Sequence, residues 1–402
     1  MLRTHADVLV IGAGVAGSAA AMHLAELGAG SVVVVDPDLA GIRSSSERNA
    51  GGVRATWWQR VNIELCAASI AFLRAHGSEV GFRPLGYLWL YGPQLWDRAA
   101  GHVALQRALG QEIELLAPAE LGDSWPEIDR LDGIAGATFS PMDGLVNANA
   151  VKELYRRRAR AAGARFLDRR LVVGVERDGA RARGVRLRAL GDEAQALASL
   201  AGVPVEGEPE FIECGQLVNA AGPWAASVAE LIGTPVPCRA VRRQVSTFRC
   251  RDVDLSRYGM IVDTTGCYFH HEGGDLILAG YSPVGDPPGY RFDYDGRAFF
   301  ESEIWPRLAA RMSGMDRLQY EGGWAGLYEL SPDNSALVGR VEGSANVYEV
   351  HSFSGRGVMQ SYAAGRALAE LMVHGRFETI DASALAGARF AAGTLQLEEL
   401  HI

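Results

Sequence analysis

The chain opens on a short apolar run, Asp7 to Ile11, of the kind a central parallel strand shows when both of its faces are buried. The run stops at Gly12. An alanine-rich segment with Leu24 and Leu27 follows and closes at Gly28, which suits the end of a helix. Val32-Val33-Val34-Val35 then reads as a second buried strand ending at Asp36, so the first forty residues predict a βαβ unit. Residues 171–222 alternate strand-like runs (Leu171 to Val175, Gly184 to Leu187) with turns, and end in Gln216 to Trp224. Within them, residues 190–210, rich in Ala, Gly and Glu, read as a solvated insertion with one short helix. Residues 85–145 and 235–320 hold most of the tryptophans and tyrosines and read as a second, mixed layer of strands and helices. Near the C-terminus the βα pattern returns: Asn346 to Val350 as a strand, Ser352 to Gly357 as a glycine loop, and Val358 to Val373 as a helix with Ala364, Leu368, Leu371 and Met372 on one face.

The first loop carries chemistry as well as a turn. Gly12-x-Gly14-x-x-Gly17 follows a strand and opens a helix. In that setting the first glycine allows the tight turn, the second lets backbone approach a pyrophosphate, and the third lets the helix pack on the strand. Amides at the helix N-terminus then face the phosphates. Asp36 comes roughly 20 residues after the loop, where an acid holds adenosine ribose hydroxyls and repels a 2′-phosphate, so NADP is disfavoured. The fingerprint alone does not separate FAD from NAD. The loop at 352–357 again puts small residues before a helix, and two such loops suit an extended ligand gripped at both ends.

Composition narrows the class. At 402 residues, with 48% hydrophobic and 22% charged residues, the sequence suits two connected globular domains. A net charge of −9 argues against nucleic acid as a partner. Five scattered cysteines without CxxC spacing indicate neither a disulfide framework nor a metal site, and a reducing cytoplasm is the expected location. Residues 8–25 are nearly uncharged, yet they hold the glycine loop and read as strand and helix rather than as a leader or a membrane span, and no transmembrane segment is expected.

Four blocks in order resemble the D-amino-acid oxidase/sarcosine oxidase superfamily of FAD-dependent amine oxidoreductases: the first glycine loop; Ser44 to Arg54; Val218 to Trp224; and Trp324 to Asp333 with Phe353 to Gly357. The Gly-Leu-Tyr-Glu-Leu-Ser-Pro-Asp and Phe-Ser-Gly-Arg-Gly versions are similar to the branch with sarcosine oxidase β-subunits and dehydrogenases of sarcosine, dimethylglycine and proline. The resemblance implies an α/β (α+β overall) fold, with a Rossmann-like FAD-binding domain from 1–85, 146–234 and 321–402 and a mostly antiparallel substrate domain from 86–145 and 235–320. It places FAD against Gly12, Gly14, Ala16, Gly17, Asp36 and Pro37, and against Ser45, Ser46, Asn49, Ala50, Gly51 and Gly52. It adds the backbone of Val173 or Val175 at the adenine, then Ala220, Ala221, Gly222 and Trp224, and around the ring Gly326, Gly355, Arg356, Gly357, Val358 and Met359. Where relatives attach flavin through cysteine or histidine, this chain has Gly326 and a histidine-free 44–52 loop, so the FAD is expected to be non-covalent.

The reaction so implied is oxidation of the C–N bond of a small amino acid or N-alkyl amino acid to an imine by hydride transfer to flavin N5. Arg54 is the first choice for the substrate carboxylate, because a guanidinium fork matches that group. Tyr328, Tyr268 and His271 are further candidates, Arg356 a contact of flavin or substrate, and Trp57 and Trp58 pocket walls. The position from which relatives aim a lysine at oxygen falls near Leu278, which predicts a dehydrogenase rather than an oxidase. A D-amino-acid or opine dehydrogenase, and a flavoprotein assembly factor without amine turnover, are the alternatives. The acceptor, a partner subunit and a homo-oligomer stay open.

Overall fold

The computed structural model describes residues 4–283 and 285–400. The strand Thr4–Ile11 sits inside a sheet of eight strands, hydrogen-bonded in parallel to Val32–Val35 on one side and Glu210–Asn219 on the other. Val347–His351 extends the parallel run beyond Glu210–Asn219, and Leu337–Arg340 turns back antiparallel at that edge. Arg165–Leu167 closes the other edge. The runs read at 171–175 and 184–187 are the arms of an antiparallel hairpin, Arg170–Asp178 and Arg181–Ala189, hung on Glu210–Asn219.

The helix Val15–Glu26 lies against this sheet because it is built of small residues. A Cβ on Gly17 would come within 1.9 Å of the Gly12 carbonyl oxygen, so only glycine permits this approach. The helix Gly357–His374 packs on Val15–Glu26 from one side and on Arg60–Ala75 from the other. It is therefore buried over most of its circumference, Gln360, Ser361 and Glu370 included, whereas Leu371, expected on the apolar face, is half-buried.

A second sheet of eight strands runs from Gln319–Leu330 through Arg239–Arg249, Leu276–Tyr281, Tyr268–Gly273, Met260–Val262, Tyr87–Tyr91 and Gly136–Ser140 to Glu114–Leu116. It is antiparallel throughout except where Met260–Val262 pairs with Tyr87–Tyr91. The strand Gln319–Leu330 pairs with Arg239–Arg249 along eleven positions, so the expected division at residue 320 falls inside an element of the second sheet. The insertion at 190–210 forms the helix Glu193–Leu200, started by Asp192 accepting from the Gln195 amide, with a small core of Leu190, Ala196 and Val205. Among the described residues no helix is long and apolar enough to cross a membrane.

Candidate functional site

Two helix N-termini open on one cavity of about 350 Å³. The helix Val15–Glu26 starts at Gly14 and the helix Gly357–His374 at Arg356, neither capped by the side chain of its own N-cap residue, so free amides of the first turn and the positive dipole ends face the space between the sheets. A Cβ on Gly14 would meet nothing within 4 Å, which leaves this stretch of backbone open to a ligand. Seventeen of the positions expected to hold the cofactor line this cavity. They are Gly12, Gly14, Ala16, Asp36, Pro37, Ser45, Ser46, Asn49, Ala50, Ala220, Ala221, Gly222, Trp224, Gly326, Gly355, Gly357 and Val358.

At one end Asp36 does two things. Its carboxylate accepts from the Ala13 amide at 2.6 Å and the Asp38 amide at 2.7 Å, so it shapes the glycine loop while facing the cavity. Burial pushes its carboxyl up to about 6. Arg156 holds the Ala13 carbonyl from behind and donates to the Leu39 carbonyl at 2.7 Å. The Ser46 hydroxyl accepts from the Val15 amide at 3.2 Å, and the Ser45 hydroxyl donates to the Leu327 carbonyl at 2.7 Å, tying the 44–52 loop to both ligand-facing walls.

A smaller recess of about 40 Å³ adjoins the opposite end, sharing Asn49, Ala50, Tyr268, Tyr328 and Gly355 with the cavity. Gly51, Gly52, Arg54, Arg356 and Met359 line this recess rather than the cavity. Gly355 sits at φ 89°, and a Cβ there would strike the Tyr328 ring at 2.5 Å, so this glycine lets the tyrosine reach the site. The serines before it, Ser352 and Ser354, also take left-handed backbone (φ 57° and 50°), a conformation uncommon outside glycine and concentrated at functional loops. Burial, with Tyr328 and Tyr87 alongside, raises the Tyr268 phenol well above its usual range, and burial raises Tyr328 too; both stay neutral donors.

The two arginines of the recess differ. Arg54, 1% exposed, donates to the Thr56 carbonyl at 2.9 Å and to the Leu400 carbonyl at 2.5 Å, with its guanidinium 3.6 Å from the Trp57 ring centroid. Arg356, 2% exposed, lies over the same ring at 4.5 Å, and among the described residues none of its three guanidinium nitrogens has a hydrogen-bond partner. Burial pulls its pKa down. Trp57 lines the recess, as expected, whereas Trp58 is stacked on His102 at 4.4 Å and does not.

Some expected positions lie outside both spaces. Val173 and Val175, expected to offer backbone at the adenine, line neither; Arg170, Leu171 and Val172, just before them on the strand Arg170–Asp178, line the cavity. His271 also lines neither, since it follows Phe269 onto the face of its strand turned away from the cavity, near the strand's end, where its Nε2 meets the Gly274 carbonyl at 3.1 Å. Its neighbour His270 shares the face of Tyr268 and meets the Ala50 carbonyl at 2.9 Å. Gly17 serves helix packing, as its spacing implied, and does not line the cavity.

Several wall residues were not read from the sequence. Arg243 faces Gly326 across the strand pair, and Glu329 accepts from the Phe353 amide at 3.3 Å, its carboxyl pushed by burial up to about 7. Ser199, Leu200 and Gly202 reach the cavity from the insertion, where the Trp224 indole donates to the Leu200 carbonyl at 2.9 Å. The solvated look of 190–210 hid them.

A βαβ glycine loop, a second helix N-terminus and an antiparallel sheet closing over the cavity define a dinucleotide-dependent oxidoreductase of the flavoprotein type. Residues 7–371 match the model of the DAO family, FAD dependent oxidoreductase, and the chain belongs to that family. It is 30% identical over 434 aligned residues to "FAD-dependent oxidoreductase domain-containing protein 1" of Mus musculus, covering 99% of this chain and 87% of the relative. It is 26% identical to the mitochondrial sarcosine dehydrogenase of Mus musculus, covering 94% of this chain and 40% of that longer protein. The crystal structure of L-proline dehydrogenase from P. horikoshii superposes with a TM-score of 0.84 at 22% identity, covering 98% of this chain and all of that one, which establishes the DAO-type FAD-binding fold.

Proposed function

We propose that the protein is a FAD-dependent dehydrogenase of a small amino acid or N-alkyl amino acid, held by its carboxylate in the recess between Arg356 and Arg54. The observation that carries this reading is the unpartnered guanidinium of Arg356 beside the cavity. A buried charged group left without hydrogen bonds costs several kcal/mol, and a substrate carboxylate supplies the matching pair of acceptors. The named activities of two similar proteins, a sarcosine dehydrogenase and an L-proline dehydrogenase, are consistent with an amino acid bearing a secondary amine.

FAD, which Gly14, Asp36, Ser45, Ser46 and the Gly355–Val358 loop would hold, would supply the two-electron acceptor for oxidation of the carbon beside the substrate nitrogen. The chain orients the substrate: Arg356 and Arg54 fix the carboxylate, Tyr268 and Tyr328 offer neutral hydroxyls, and Trp57 and Met359 keep water from the recess. FAD is held without a covalent bond, because Gly326 has no side chain to form one and a Cβ there would stand 3.0 Å from that of Arg48. The dehydrogenase assignment rests on charge. Leu278 is buried in the core, and of the two cations on the cavity wall beside Gly326, Arg243 is offset by Asp286 at 3.5 Å and Arg48 is held by the Ile42 and Ala325 carbonyls at 2.9 Å.

The test is anaerobic mixing of purified holoprotein with amino acids and N-methyl amino acids while oxidised-flavin absorbance is followed. Bleaching by at least one carboxylate-bearing amine, with slow peroxide formation in air, is expected. No bleaching by any of them, or a best substrate lacking an acidic group, would overturn the reading.

A further inference from the structure

Residues 396–400 form no helix or strand, yet Glu398 is fully buried and Leu400 is 1% exposed. This segment is anchored on Asp333. The Gln396 amide donates to the Asp333 carboxylate at 2.9 Å and the Glu398 amide to the Asp333 carbonyl at 3.0 Å, while Arg389 grips the same carboxylate at 2.7 and 3.0 Å. From that anchor it crosses to the recess. The Glu398 carboxylate accepts from the amides of Trp58 (3.0 Å) and Gln59 (2.9 Å) and from the side-chain amide of Asn62 (3.0 Å). The helix Arg60–Ala75 has no cap from its own N-cap residue, Gln59, and Glu398 fills that role from the far end of the chain. Two residues on, the Leu400 carbonyl takes up one arm of Arg54.

The contacts reach the second arginine as well. The Asn62 carbonyl oxygen accepts from the Gln360 side chain at 3.0 Å, and Gln360 lies one helical turn beyond Arg356. Glu398 is also the charge that most favours the ionised form of Arg356. A segment that only closed the fold would need its anchor and its helix cap. It would not need a main-chain carbonyl aimed at a guanidinium of the ligand recess.

We infer that the strap Gln396–Leu400 is a positioning element of the anion recess, aiming Arg54 through the Leu400 carbonyl so that it and Arg356 meet one carboxylate. The inference rests on the carboxylate reading above and adds that the recess is built from both ends of the chain. A guanidinium that loses one of two fixed acceptors becomes free to turn toward other partners, and the fork is no longer preorganised.

The experiment uses FAD-loaded protein and two probes of one shape, acetate and its neutral isostere acetamide, titrated against the flavin absorbance. A chain ending after Glu398 keeps the anchor and the cap but lacks the Leu400 carbonyl and the Glu399 partner of Arg98; Arg98→Gln loses that ion pair and keeps the carbonyl. The shortened chain should bind acetate about tenfold more weakly or worse, the range for a hydrogen bond to a charged group. Arg98→Gln should stay within about threefold of wild type, and acetamide binding should not change in either. Equal acetate binding by shortened and wild-type chains overturns the inference, as does an equal loss for acetamide or an equal loss in Arg98→Gln. Failure of the wild type to bind acetate would overturn the carboxylate reading and this inference with it. Should the shortened chain not fold, hydrogen exchange on the intact holoprotein decides: acetate should slow exchange of the 396–400 amides several-fold and acetamide should not, and identical rates overturn the inference.

Discussion

At the scale of single residues, the decisive contrast is between two arginines on one indole. The sequence nominates both Arg54 and Arg356, but it cannot say which guanidinium is free, because one acceptor that occupies Arg54 comes from Leu400, 346 positions away. The consequence is testable in opposite directions. Arg356→Met should stabilise the protein without ligand by about 1–4 kcal/mol, as replacing buried ionic groups with packed apolar ones does, since the guanidinium has no hydrogen-bond partner to lose. The same change should weaken acetate binding at least ~30-fold, the lower end of losing a charged partner in a dry site. Arg54→Met should weaken both, since it also removes two satisfied hydrogen bonds; thermal unfolding and titration separate the cases. Asp36→Ala should lower FAD affinity by more than Asp36→Asn, because asparagine keeps one oxygen for the glycine loop, and equal flavin retention in all three proteins would remove Asp36 from the site. Parity was the other thing hidden at this scale. An unbroken apolar run from Leu171 to Val175 carries no alternation to say which side chains face the cavity, and the structure puts Leu171 and Val172 on its wall rather than Val173 and Val175. The adjacent pair His270 and His271 carries no such sign either.

At the scale of elements, the glycine loops and the strands beside them were readable because local chemistry alone demands them: a tight turn, an orphan helix end, a four-valine strand buried on both sides. The terminal helix was less readable. Its apolar stripe suggested one buried face, whereas two flanking helices bury it nearly all round, and small residues make that possible. A Cβ on Gly365 would come within 2.8 Å of the Ala20 amide nitrogen. Gly365→Leu should therefore destabilise the protein by about 1–3 kcal/mol or more through overpacking, and shift Arg356 at the head of the same helix. Denaturant unfolding measures the first effect, and a loss of acetate affinity larger than the loss of FAD affinity reports the second. A variant as stable as wild type would show that the helix pair has room to spare.

At the scale of the whole molecule, the division into a dinucleotide-binding layer and an antiparallel layer followed from texture, but the walls contributed by Arg243, Glu329 and the 190–210 insertion did not, because each comes into place only when distant strands pair. Burial raises three carboxyls: Asp36 and Glu329 on the cavity wall, to about 6 and about 7, and Asp143, which accepts from the Ala55 amide at 3.0 Å, to about 7. Each binds its proton more tightly in the folded chain, so between the usual carboxylate range and about pH 7 unfolding releases protons. Stability from these groups is full at low pH, falls as the pH rises and levels off above about 7. Denaturation of flavin-free protein at about pH 5 and about pH 8 should show this decline, and Glu329→Gln should flatten it; an unchanged slope would mean Glu329 is not one of its sources. The strap has a consequence of a different kind. A ribosome delivers the chain from residue 1 onward, so the first glycine loop and Arg54 emerge long before Glu398 and Leu400. Until those residues arrive, the helix Arg60–Ala75 lacks its Glu398 cap and Arg54 lacks one of its acceptors, so the recess is completed only when the strap has been made.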